Sequence, residues 1–160
     1  MKNFLILSAI ALTISLTFAD TLSLPVGQVT VIRSGAVNRI RVLFDISTLQ
    51  NARVDYAEIL IPHFLNEGEI VLEGWRLISE NPDDYDTTFH ARYTTEASVN
   101  LPVILDITDF MKYWVGNSNN FGVLLKRPYY QGGGFRGELQ NLMNALTNAR
   151  IRVFFICESE

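Results

Sequence analysis

The run NRIRVLFDIS, residues 38–47, places Ile40, Val42 and Phe44 on one side of an extended chain and Arg39, Arg41, Leu43 and Asp45 on the other. An extended backbone turns successive side chains to opposite faces, so this spacing makes one face core and leaves the other mostly wet. The same period-two pattern returns along the chain. VGQVTVIRSG sets Val26, Gln28 and Thr30 against Gly27, Val29 and Val31, and stops at Ser34-Gly35. VDYAEILIPHFL sets Ala57, Ile59 and Ile61 against Tyr56, Glu58 and Leu60, and Pro62 can donate no ladder hydrogen bond. EIVLEGWRLISE is read with Val71, Trp75 and Leu77 inward and Gly74 as a bulge. SVNLPVILDI, FGVLLK and ARIRVFFIC complete the set. No repeat or low-complexity linker divides these runs. About eight strands in one domain over residues 20–160 predict an all-β fold, an antiparallel β-sandwich of jelly-roll type.

Three stretches depart from the alternation. In DITDFMKYWVGNSNNFGVLLK, Thr108 is a good helix N-cap, Asp109 suits the positive end of the helix dipole, and Phe110, Met111 and Trp114 share a face. This predicts a helical turn that plugs one end of the fold with its aromatics, stopped at Gly116-Asn117. In QGGGFRGELQNLMNALTN, Leu139, Leu142, Met143 and Leu146 have helical spacing and predict a second short helix before the last strand. NPDDYD is a turn by composition, and FHARYTTEA reads equally as a twisted strand or a loop.

The segment MKNFLILSAIALTISLTFA, residues 1–19, has one basic residue, Lys2, an apolar core from Phe4 and a small residue, Ala19, at its end. That is the form of a secretory signal peptide cleaved near Ala19-Asp20, and not of a membrane span. The expected location is extracellular or at the cell surface, or periplasmic, with no span in the mature chain. Removing 19 of 160 residues leaves 141, and losing Lys2 takes the formal charge from −4 to −5. This mild acidity, without a basic cluster, argues against nucleic acid or an anionic lipid surface as the main partner. One cysteine, Cys157, builds neither an internal disulfide nor a cysteine metal site.

NRIRVLFDIS, AEILI at 57–61 and above all DITDFMKYWVGNSNNFGVLLK resemble the hallmark pieces of DNRLRE-domain proteins, a group that includes alginate-binding carbohydrate-binding modules of family 96. The resemblance covers about residues 25–127 and, through RIRVFF, the last strand. It implies a secreted jelly roll of a kind often appended to extracellular proteins that act on or adhere to polysaccharide. GGGFRGELQNLMNALTN stands where a shorter link is expected.

No catalytic constellation assembles from the residues. A serine or cysteine nucleophile needs a histidine, and His63 and His90 come with neither a nucleophile-elbow glycine pattern nor a zinc-site spacing. Glu58, Glu69, Glu73 and Asp86 are acids of the kind that solvate strand faces. The expectation is a protein that is not an enzyme. Three clusters outside the predicted core carry binding chemistry. Tyr129 and Tyr130, beside Arg136 in the glycine-rich loop, offer rings for sugar stacking and a guanidinium for an anionic uronate. Tyr85, His90, Arg92 and Tyr93 form a second set of the same type. Asp83, Asp84 and Asp86 are hard oxygen donors suited to calcium; no other cofactor is expected. The expected function is that of a secreted, non-catalytic carbohydrate-binding or matrix-adhesion domain for an acidic polysaccharide. The alternative is a structural subunit of an extracellular filament or surface layer. It would self-associate by strand exchange through the charge-poor segment TLSLPVGQVTVI.

Overall fold

A computed structural model describes residues 19–49, 52–66, 68–95, 100–117 and 119–157. Most of the predicted signal peptide, residues 1–18, and the side chain of Cys157 lie outside that range. Eight antiparallel strands form one sheet: β1 (Ala19–Ser34), β2 (Val37–Phe44), β3 (Ala52–Ile61), β4 (Ile70–Leu77), β5 (Tyr85–Thr95), β6 (Val103–Asp106), β7 (Val123–Lys126) and β8 (Arg150–Cys157). Two short helices, α1 (Thr108–Asn117) and α2 (Leu139–Leu146), complete the fold. The spatial order is β5-β4-β7-β2-β1-β8-β3-β6.

β1 joins the two halves of this sheet. Its first part pairs with β8, from Ala19 opposite Ile156 to Pro25 opposite Arg150. Its second part pairs with β2, from Val26 opposite Phe44 to Ser34 opposite Val37, with a register shift between Val26 and Gln28. Pro25 has no N–H to give to a ladder, so the exchange of partners falls where a hydrogen bond is lost in any case. The end strands β5 and β6 approach each other without pairing, so the sheet is nearly closed and barrel-like.

The inward residues of β2, Ile40, Val42 and Phe44, are buried as their spacing predicts, and so are Ala57, Ile59 and Ile61 of β3. FHARYTT, residues 89–95, belongs to a strand, paired with β4 from Ile70 opposite Thr95 to Trp75 opposite His90, and the Glu96-Ala97 end of that reading lies outside the described residues. Both helices lie where they are expected. Phe110, Met111 and Trp114 of α1 are buried, as are Leu142, Ala145 and Leu146 of α2. Thr108 departs from its expected capping role: its hydroxyl accepts from the Ala57 N–H at 3.0 Å and donates to Asp106, which ties α1 to β3. The Thr108 N–H itself is received by Asp106 Oδ1 at 2.9 Å. Gly116 lies within α1 and is absent from the glycines of positive φ, and Asn117 Nδ2 donates to the Tyr113 carbonyl.

β4 is read with the wrong face inward in the sequence. Leu72 belongs to the core, and a Cβ on Gly74 would meet Val123, Leu105 and Ala91 side chains, so this parity points in. Val71 and Leu77 are buried but stand apart from the core cluster, and Trp75 packs among polar side chains on the outer face. β4 is buried along almost its whole length, Glu73 and Arg76 included, so burial no longer alternates and period two loses its phase. The register shift falls between Trp75 and Leu77 and not at Gly74.

Candidate functional site

The outer face of β2, β7, β4 and β5 gathers side chains that alternation alone leaves scattered. Two cross-strand rows run over it. One passes from Arg41 to Leu124, Trp75 and His90. The other passes from Lys126 to Glu73 and Arg92.

Trp75 is the centre of this face. It is on β4, between β7 and β5, and is flanked from β5 by His90, whose ring stacks on it at 4.5 Å with an interplanar angle of 11°. From β7, Lys126 brings its ammonium to 4.6 Å from the Trp75 centroid and equally close to that of Tyr85. Tyr85 meets Trp75 edge-on at 5.3 Å. Glu73, itself buried, accepts from Trp75 Nε1 at 3.2 Å and holds the indole in the stack. Arg92 donates to the Tyr130 hydroxyl and lies 5.9 Å from that ring. Arg41 Nε donates to the Phe121 carbonyl at 2.9 Å.

Two of the predicted clusters thus meet. Tyr130, from the glycine-rich loop, joins Arg92, and Tyr85 and His90 lie beside it around Trp75. The loop reaches β2 because Gly134 has no side chain: a Cβ there would come within 2.6 Å of the Asn38 carbonyl, next to Phe135, which bridges to Asn38. Tyr129 is 96 % exposed, and Arg136 is exposed on the same loop. Tyr93 is not part of the face. It has the inward parity of Leu72 and Ala91 and lines a cavity of about 130 Å³ with His63, Phe64, Leu101 and Val103, near the seam between β5 and β6.

The three acidic residues are turned to different partners. Asp83 pairs with Arg39 at 2.8 Å, Asp84 accepts from Ser79 Oγ, and Asp86 pairs with Arg76 at 2.6 Å. Among the described residues no three histidine, cysteine or acidic side chains come together as metal ligands, so these carboxylates make no converging calcium cage. The Thr88 N–H, and after it the Arg76 guanidinium, hold the Asp86 carboxyl below its ordinary range. On the other half of the sheet, burial and then the hydrogen bond to Glu58 push the Tyr56 hydroxyl up to about 12.

Trp75, Glu73, Lys126 and Arg41 are the members of this face that sequence reasoning does not reach. Arg41 is recognisable as outward from its own strand, but nothing in a linear pattern states that β7 and β4 lie between β2 and β5. No protein-family model matches the chain, and no curated protein does. Among the described residues no helix is long and apolar enough to cross a membrane.

Proposed function

We propose that the protein is a secreted, non-catalytic carbohydrate-binding or matrix-adhesion domain that takes an acidic polysaccharide on the outer face of β2, β7, β4 and β5. One observation carries the reading: Tyr130, Arg92, His90, Tyr85 and Lys126, drawn from β5, β7 and the glycine-rich loop, form one aromatic and cationic surface around Trp75. Exposed rings offer apolar faces to sugars, and fixed cations pair with carboxylates. The strand order supports a jelly roll, since the halves β1-β8-β3-β6 and β2-β7-β4-β5 have the interleaved order of that fold. The likeness of the hallmark segments to DNRLRE-domain proteins and family 96 modules favours the same reading, and the apolar leader ending near Ala19 favours export. β1 completes its own chain's sheet on both sides, which supports a binding role over assembly by strand exchange.

Affinity electrophoresis in alginate and in a neutral β-glucan tests the proposal. The wild type should be retarded by alginate, and Arg92→Ala combined with Tyr130→Ala should largely restore mobility. The thermal midpoint should stay nearly unchanged, because both residues are exposed. Equal mobility of wild type and variant in every gel would overturn it.

A further inference from the structure

The cavity of about 130 Å³ at the seam between β5 and β6 shares no residue with the outer face. It lies where the two strands approach without pairing, with Tyr93 of β5 on one side and Val103 of β6 on the other. Pro102 precedes β6 and has no N–H with which to extend a ladder. The walls are largely apolar. Phe64 and Val103 are buried in the core, Tyr93 packs against it, and Leu101 stands exposed at the mouth.

Two polar side chains of the wall have one group each left over. Thr95 is 7 % exposed, and its hydroxyl oxygen receives two N–H groups at 3.2 Å, one from the Ile70 backbone and one from Asn66 Nδ2. A hydroxyl accepts two hydrogen bonds and donates one, so its acceptor positions are filled and its proton remains. Among the described residues that proton is given to no acceptor. Asn66 gives its amide hydrogens to Thr95 and to the Gly68 carbonyl. The carbonyl can only accept, which fixes the amide and leaves Oδ1 as its remaining group. A buried donor beside an acceptor matches a ligand hydroxyl, which accepts and donates at once.

We infer that this cavity binds a small uncharged phenol. The ring lies among Phe64, Tyr93, Leu101 and Val103, and the ligand hydroxyl accepts from Thr95 Oγ1 and donates to Asn66 Oδ1. An apolar cavity of about 150 Å³ takes one benzene-sized ring, so the volume here suits a single ring. Among the described residues no lysine, arginine, aspartate or glutamate lines the cavity, so a charged ligand would lose its hydration without gaining a partner. Phenol binding here is independent of polysaccharide binding on the outer face, since the two sites have no residue in common.

Titration of the isotope-labelled protein with phenol, followed by two-dimensional NMR, tests the inference. Saturable shifts should centre on His63, Tyr93, Thr95 and Leu101 and leave Arg41 and Trp75 unmoved. Toluene has the same number of heavy atoms and is the more apolar, so hydrophobic burial alone would favour it. Phenol should nevertheless bind several-fold more tightly, and benzoate should give no saturable shift. Thr95→Val removes the donor and should weaken phenol about tenfold while leaving toluene unchanged, which reverses the order of the two ligands. A hydroxyl that only braces the Ile70 N–H would affect both ligands alike. Leu101→Ala, at the exposed mouth, should weaken both ligands and leave the thermal midpoint nearly unchanged. If Thr95→Val does not fold, the wild-type ranking of phenol over toluene and the effect of Leu101→Ala decide the matter. Shifts spread over the surface without saturation, toluene bound more tightly than phenol by the wild type, or phenol binding that Leu101→Ala leaves intact would overturn the inference. Tighter binding of N-acetyltyrosine amide than of phenol would overturn the assignment to a free ligand and give the cavity to a tyrosine side chain of a peptide.

Discussion

Among the described residues, Trp114 is the largest fully buried side chain. Its side chain is fully buried beside Phe110, whose ring meets it edge-on at 6.1 Å, and its indole N–H has no partner among the described residues. The indole therefore stabilises the fold through its apolar surface and not through a hydrogen bond. Trp114→Ala should lower unfolding free energy by about 3–5 kcal/mol, the usual effect of emptying a buried tryptophan site. Urea denaturation of wild type and variant measures the difference. Trp75 has the opposite character: it is held by Glu73 and flanked by His90 and Lys126, so its role is to position polar neighbours on the outer face.

Besides the Thr108 link to β3, α1 is tied to β4 and β5 by a second latch at Arg76. Arg76 of β4 is buried, pairs with Asp86 of β5 and lies 3.6 Å over the Tyr113 ring of α1, so three elements meet at one guanidinium. Asp86 is held below its ordinary value of 3.8, first by the Thr88 N–H and also by Arg76. A carboxyl with a lowered folded pKa adds stability above its unfolded pKa and loses that contribution as pH falls through the folded value. Asp86→Asn should therefore lower stability at neutral pH by about 2 kcal/mol, since it weakens charge-assisted hydrogen bonds beside a buried guanidinium. The gap between wild type and variant should narrow below about pH 4, where the unfolded carboxyl begins to bind its proton first. Urea midpoints at neutral pH and near pH 3 give the comparison. A gap that stays constant across this range would show that the latch acts through packing on Tyr113 alone.

At the scale of the whole molecule, β1 is the strand that makes two halves into one sheet. It pairs with β8 from Ala19 onward, so a mature chain starting at Asp20 keeps six of the seven β8 positions, Asp20 to Pro25. Cleavage near Ala19-Asp20 is thus compatible with a completed sheet. Intact mass of the exported product should correspond to a chain beginning at or near Asp20. Retention of residues 1–19 would count against the export reading.

How much of this is legible in the sequence depends on how local the cause is. β2 and β3 announce themselves because alternation marks their inward residues, although Glu58, on the side of β3 read as wet, is buried in its pair with Arg152. The helices are equally local, since Phe110, Met111 and Trp114, and Leu142 and Leu146, mark their own buried stripes. β4 is covered on both faces, so its phase, and with it the outward position of Trp75, is set by neighbours and not by pattern. The candidate site divides the same way. Tyr85, His90, Arg92 and Tyr130 are recognisable as binding chemistry by residue type, whereas their partners Trp75, Glu73, Lys126 and Arg41 are not. A mainly β chain, its two short helices and the residue types open to a ligand follow from local pattern. The placing of β7 and β4 between β2 and β5 does not, because cross-strand neighbours are brought together by long-range pairing, which leaves no mark at any fixed spacing along the chain.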